Sequence, residues 1–359
     1  MSTKHLLHSS GIPRIARESH LAALRWQARI RSRNHPARSL DAGRRLRILG
    51  FCPSYLPTSQ AGSEVTLHRV LRDLRDRGHE VRVMVDGHAE TATVDEIQVV
   101  AGDARATRRA MFEWCDVVIA QLGARGPALR LAAQFDRPLV FYMQIGNTPQ
   151  HILWGAPDLT IFSSDYVRRE FAWIERAIVV HPPIDEVDYL TPRGDAVTLI
   201  NLSRLKGGQL LPELAERLPD HRFIGVRGWG AQLVPSTTPS NLTILGHQAD
   251  MRTVYGMTRV LLVPSIYESY GRVGLEAAVS GIPSIAHPSG GVREALGDAA
   301  LWADRNDLDA WVDAIKTLDD AAVYETYSKR ARRRFEQLDP GNELDRLHDD
   351  VCSLARTRA

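Results

Sequence analysis

"RILGFCPSYLPTSQAGSEVTLHRVLRDLRDRGHEVRVMV", residues 47–85, decides the fold class. RILGFCPS is an apolar run that ends in a turn, and HEVRVMV at 79–85 is a second apolar run of strand length. Between them Val65, Leu67, Val70, Leu71 and Leu74 recur at the spacing of a helix with one apolar face. Gly78 stands where a helix C-terminus wants a residue free to take positive φ, and the second strand follows at once. Strand, helix and strand in this order read as a right-handed βαβ crossover, and hence as part of a parallel sheet.

The alternation continues through DVVIAQL (116–122), PLVFYMQ (138–144), LTIFSS (159–164) and AIVVHPP (177–183), separated by Ala- and Arg-rich segments suited to helices. After the charged, Pro-rich stretch HPPIDEVDYLTPRGD it restarts with VTLINLS (197–203), RFIGVRG (222–228), LTILG (242–246), VLLVPS (260–265) and PSIAHPS (283–289). Two doubly wound, Rossmann-like α/β domains facing a cleft are therefore expected, with ligands beyond the C-terminal ends of the strands. The expected division is a basic arm at 1–43, α/β domains at 44–190 and 191–335, and a helical tail at 336–359. From Leu308 onward the chain reads as charged helices with Trp311, Ile315 and Leu318 on one face.

With 44% hydrophobic and 25% charged residues, the 359-residue chain has the composition of a soluble protein with ordinary cores. Cys52, Cys115 and Cys352 lie far apart without CxxC spacing, so neither a zinc site nor a disulfide framework is encoded. The start has no apolar stretch of signal-peptide length, and no run is long enough to span a bilayer, so a cytoplasmic location is expected. Residues 1–47 carry 11 Lys or Arg against Glu18 and Asp41, a net +9 beside −7 for the remainder. Such an arm suits an anionic membrane surface or nucleic acid; the alternative, which a charge run alone favours slightly, is a helix folded back on the acidic body.

Chemistry concentrates in VLLVPSIYESYGRVGLEAAVSGIPSIAHPSGGVREAL, residues 260–296. The strand ends at Pro264, and a helix is expected from about Gly271 to Gly281, where Pro283 prevents continuation. Glu268 then lies in the loop and Glu276 inside the helix, its carboxylate leaning toward the N-terminal opening. Backbone N–H groups near 270–273 would make that opening an anion site. A carboxylate for two adjacent hydroxyls, a second carboxylate and a phosphate-suited terminus are what a nucleotide-sugar requires.

This stretch resembles the GT-B glycosyltransferases, specifically the retaining family 4 (glycosyltransferase group 1). The matching residues are Pro264-Ser265, Glu268, Glu276, Gly281-Ile282-Pro283 and Gly290-Gly291-Val292-Arg293-Glu294. The resemblance implies that Glu276 binds the donor ribose, that Glu268 faces the transferred sugar, and that the amides around Tyr270, Gly271 and Arg272 approach sugar hydroxyls or phosphate. NLSRLKGGQLLPELAERL looks like the family's phosphate-binding stretch, which makes Arg204 and Lys206 the cations on the diphosphate, though only Leu205 separates them where relatives have more. PSYLPTSQAGSEVTLHRVL resembles the first-domain glycine loop, of which Gly62 remains; Gln144 stands where many relatives carry a histidine, on the acceptor side. A helix tolerates alanine, so Glu276→Ala is expected to lose nucleotide affinity and keep the fold.

The implied reaction is transfer with retention from a nucleotide-sugar, UDP the expected nucleotide, to an acceptor hydroxyl in glycan, glycolipid or glycoconjugate synthesis. The leaving phosphate takes the acceptor's proton, and with no Asp-x-Asp motif in a suitable loop neither a catalytic metal nor a cofactor is expected. Rival readings are a glycoside hydrolase with Glu268 and Glu276 as its carboxylate pair, a sugar-nucleotide epimerase of the same architecture, a transferase acting on DNA or protein, and a non-catalytic nucleotide-sugar-binding protein.

Overall fold

The computed structural model describes residues 43–87, 89–145, 156–233 and 237–357. The basic arm expected at 1–43 lies outside them apart from Gly43. The described residues form two compact units: the first takes in those up to Ser163, with Val167–Val180 and those from Gly341 onward, the second Ser164–Tyr166 and His181–Pro340.

In the first unit the elements are β1 (Arg47–Cys52), α1 (Gly62–Asp76), β2 (Glu80–Val85), β3 (Ala92–Val94), β4 (Ile97–Ala101), α2 (Arg105–Trp114), β5 (Val117–Gln121), α3 (Arg125–Gln134), β6 (Leu139–Met143), β7 (Leu159–Phe162) and β8 (Ala177–Val179), with α4 (Asp165–Glu170) between the last two strands. They make one eight-stranded sheet in the order β3-β4-β2-β1-β5-β6-β7-β8. Residues 47–85 form the βαβ unit as read: β1 and β2 pair in parallel from Arg47↔Glu80 to Cys52↔Val85. Leu67, Val70, Leu71 and Leu74 of α1 are wholly buried on the sheet, each contributing roughly 1.5–3 kcal/mol of burial. β3 is a short antiparallel edge strand on β4, which the reading as a purely parallel sheet did not include.

The chain's last helix, Gly341–Thr357, packs Leu344, Leu347, Val351 and Leu354 into the same core as α1 and the strands β1, β2 and β5. The segment expected as a separate tail at 336–359 is thus in large part a structural layer of the first unit, because its apolar face completes that core.

The second unit holds β9 (Ala196–Ile200), α5 (Leu210–Arg217), β10 (Phe223–Val226), β11 (Leu242–Leu245), α6 (Met251–Tyr255), β12 (Thr258–Val263), α7 (Arg272–Ala278), β13 (Ser284–Ala286), α8 (Gly290–Leu296), β14 (Ala300–Trp302), α9 (Leu308–Thr317) and α10 (Ala321–Gln337). Its six strands run in the order β11-β10-β9-β12-β13-β14 with every pairing parallel. One core unites Leu211 and Leu214 of α5 with Trp311 and Ile315 of α9 and with Leu318. Another gathers Leu275 and Ala277 of α7 and Val292 and Ala295 of α8. Helices thus cover the sheet as the doubly wound class requires.

In each sheet the strand order reverses once, between β1 and β5 in the first unit and between β9 and β12 in the second. Loops leaving neighbouring strands on opposite sides of such a point part from one another and leave a crevice for ligand. Arg204 and Lys206 follow β9, and Glu268 to Arg272 follow β12, so the second reversal point carries the candidate residues.

Candidate active site

After β9 the chain makes one tight turn, Arg204–Lys206, and closes it at Gly207 with φ +81°. A Cβ on Gly207 would lie 2.5 Å from the Pro264 ring, so the turn can seat against the end of β12 only with glycine there. The turn is gripped by Arg305, a buried residue that sequence reasoning missed: its Nη2 donates to the Arg204 carbonyl (3.1 Å) and its Nη1 to the Leu205 carbonyl (3.3 Å). Burial lowers the Arg305 pKa from its ordinary value. The Arg204 side chain is exposed and enters no ion pair among the described residues.

Lys206 turns the other way. Its Nζ donates to Glu268 Oε1 at 2.5 Å, and Ser265 Oγ donates to the same oxygen at 2.8 Å. The closeness of Arg204 and Lys206 in sequence therefore does not make them a pair: Arg204 enters no ion pair among the described residues, and Lys206 pairs with the loop carboxylate. The loop itself rests on the first turn of α8, where a Cβ on Gly291 would lie 2.4 Å from the carbonyl of Glu268. Gly271 is the N-cap of α7 at φ +96°. The Tyr270 ring is buried against His181, with centroids 4.8 Å apart.

Glu276 differs most from expectation. Its side chain is 8% exposed, Oε2 accepts from Tyr255 Oη (2.7 Å) and Oε1 from Arg272 Nε (2.6 Å). Arg272 in turn donates to the Pro183 carbonyl (3.0 Å) and to Tyr189 Oη (2.8 Å). Burial opposes the Arg272 charge, but Tyr189 and Glu276 outweigh it and hold the pKa above its ordinary value. Burial beside the Glu276 carboxylate pushes the Tyr255 hydroxyl well up, so it stays a donor. The reading of position 276 as a tolerant helical site did not include this role: the carboxylate is the counter-ion of a buried guanidinium, which alanine would leave unpaired. Arg272, expected to act through its amide alone, is also a clamp on Glu276. An ionised carboxylate has about four acceptor positions, so two remain for a ligand diol.

Glu294, the last residue of the Gly-Gly motif, is committed to the unit's own backbone. It accepts from the amides of Asp165 (2.8 Å) and Tyr166 (2.6 Å) and from His181 Nε2 (2.8 Å). Burial alone would raise its pKa, but His181 and the two amides together hold it below the ordinary carboxylate range.

In the first unit Gly62 opens α1 and is exposed. Gln144, just beyond β6, donates through Nε2 to the Ser63 carbonyl (2.9 Å) and to Gln121 Oε1. His79, His348 and Cys352 bring three atoms able to ligate metal within 4.8 Å, a cluster no sequence spacing signalled. His79 Nδ1 accepts from the Leu46 amide at 3.2 Å, which leaves the proton of the neutral ring on Nε2, facing Cys352 Sγ at 3.8 Å. That tautomer offers a metal no lone pair. Among the described residues no helix is long and apolar enough to cross a membrane.

Residues 209–320 match the family model Glycosyl transferases group 1. The chain is 27% identical over 218 residues to a D-inositol 3-phosphate glycosyltransferase of Corynebacterium jeikeium, covering 49% of this chain and 52% of that protein. It is 37% identical over 114 residues to the O-antigen chain mannosyltransferase B of Escherichia coli, covering 30% of each. It thus spans about half the length of the first relative and under a third of the second. In three dimensions it superposes on Anabaena Alr3699/HepE, solved in complex with UDP and glucose, with a TM-score of 0.70 and 18% identity over 86% of this chain and all of that one. At that identity the likeness speaks for the fold, which is GT-B.

Proposed function

We propose that this chain of GT-B fold, whose residues 209–320 match the group 1 glycosyltransferase model, moves a sugar from a nucleotide-sugar to an acceptor hydroxyl with retention of configuration. The observation that carries this reading is the arrangement about the second sheet's reversal point: the cationic turn Arg204–Lys206 leaves β9, and the Glu268–Glu276 loop and helix leave β12. UDP is the proposed nucleotide, as in the Anabaena complex. The acceptor is a hydroxyl of a sugar or cyclitol, the chemistry named for the two relatives.

Each residue then has a task set by its contacts. Arg204, exposed and without an ion pair among the described residues, takes the diphosphate as negative charge develops on it; a preorganised cation is worth most where charge appears in the transition state. Lys206 keeps the Glu268 carboxylate in place beside the transferred sugar and reaches the phosphate from the same turn. Glu276 presents its two remaining acceptor positions to the ribose diol, held in orientation by Arg272 and Tyr255. The amides of Tyr270, Gly271 and Arg272 approach sugar hydroxyls or phosphate. Gln144 has no ionisable group, so the acceptor's proton passes to the departing phosphate oxygen.

The hydrolase reading fits less well, because Glu268 faces Lys206 and Glu276 faces Arg272, whereas a hydrolase needs one carboxyl poised as an acid. The basic segment at 1–43 is proposed to hold the protein on anionic lipid or nucleic acid. Slow hydrolysis of UDP-glucose, with GDP-mannose and ADP-glucose in parallel, followed by proton NMR, tests the reaction type. We expect α-configured free sugar to appear first and the rate to be unchanged by EDTA. First-formed β-sugar would refute retention; complete, magnesium-reversible loss in EDTA would refute metal independence.

A further inference from the structure

The reversal point of the first sheet holds a polar group that the transfer scheme above does not use. Gln121, the last residue of β5, is wholly buried, and its Nε2 has no hydrogen-bond partner among the described residues. The orientation of that amide follows from its neighbours. The Ser63 carbonyl can only accept, so Gln144 must turn Nε2 toward it, and the same Nε2 meets Gln121. Gln121 must answer with its carbonyl oxygen, which leaves its NH₂ group directed away from Gln144. A buried donor left unpaired is destabilising, and such a group at the C-terminal end of a central strand, beside the reversal point, is placed for a ligand.

The surrounding charge decides which ligand. Glu64, in the first turn of α1, is buried; it accepts from Ser54 Oγ (2.6 Å) and Ser63 Oγ (2.7 Å) and enters no ion pair among the described residues. Its negative charge opposes the anion preference of the helix terminus. The nearby buried cation, Arg125, lies over Phe141, whereas Gln121 pairs in register with Tyr142 on the other face of the sheet. Helix α1, which carries Glu64, packs on the face of the sheet that holds Ile119 and Tyr142, the face of Gln121, so a phosphate there would face the Glu64 carboxylate from the same side. A neutral hydroxyl can accept from the Gln121 donor without that repulsion.

We infer that Gln121 Nε2 donates to a hydroxyl oxygen of a neutral polyol, a sugar or cyclitol ring, and that Gln144 is the positioning residue that aims it. The inference rests on the transferase reading and names the chemistry of its acceptor. A net hydrogen bond of this kind corresponds to about tenfold in affinity. Saturation-transfer NMR on the full chain tests it with myo-inositol, methyl α-D-mannopyranoside and glycerol, and with inositol 1-phosphate and mannose 6-phosphate, at fixed ionic strength. Two variants serve: Gln121→Glu keeps the oxygen that faces Gln144, and Gln121→Met removes donor and acceptor alike. Calorimetry of UDP on the same samples follows the other unit.

The expected result is that at least one neutral polyol binds the wild type, that its phosphate binds no tighter, and that both variants weaken the polyol about tenfold while UDP affinity is unchanged. Absence of polyol binding to the wild type, tighter binding of the phosphates, or equal binding to the variants would overturn the inference and leave Gln121 to a buried water. Failure of UDP to bind the wild type would instead count against the transferase reading.

Discussion

Glu276→Ala is expected to lower the melting temperature by roughly 10 °C, the equivalent of about 3–5 kcal/mol in a unit of this size. Two buried groups lose their partner at once: Arg272 keeps a guanidinium with no carboxylate, and Tyr255 keeps a hydroxyl with no acceptor. The remedy identifies the cause. Removing the second charge as well, in Arg272→Met/Glu276→Ala, should recover more than half of the loss, because an apolar pair costs less than one unpaired buried ion. Differential scanning calorimetry of the single and double variants measures the coupling directly. Equal melting of Glu276→Ala and wild type would mean that the pair carries no structural weight. On the double variant, UDP affinity then reports the ribose contact without the confounding instability.

Arg204→Ala is expected to lower kcat about 10²- to 10³-fold, the usual cost of removing one preorganised charge from a developing anion. Uridine affinity should change little, since the nucleoside lacks the diphosphate. The fold should be unaffected, because the Arg204 side chain is exposed and the turn is held through its carbonyls by Arg305. Steady-state kinetics with the turned-over donor, beside calorimetry with uridine and UDP, separates the effects. An equal loss of uridine affinity would place Arg204 at the nucleoside instead.

Much of this architecture is visible in the sequence for a simple reason. Strands buried on both faces are continuous apolar runs, and helices such as α1 carry Leu67, Val70, Leu71 and Leu74 at their own period. The paired glutamates and the Gly-Gly motif are legible because the loops that hold them are short and local. β3 and β14 have three residues each, too few for any period to register. The contacts that orient the site are long-range: Arg305 reaches Arg204 across 101 positions, and Gln144 reaches Ser63 across 81. Nothing local marks an arginine or a glutamine for such a partner. Glu276 is legible as a candidate ribose ligand and illegible as a counter-ion, because Arg272 four residues earlier reads equally well as an exposed helical pair. Only burial distinguishes the two.

Calorimetric titration of the wild-type chain with UDP, GDP, ADP and TDP, repeated on Arg204→Ala, tests the donor site in the second unit most directly. One nucleoside diphosphate, UDP by this reading, should bind with a single site per chain and lose most of its affinity advantage over the nucleoside when Arg204 is removed. No binding by any of the four, or binding that Arg204→Ala leaves untouched, would contradict a diphosphate seated between the β9 turn and the β12 loop.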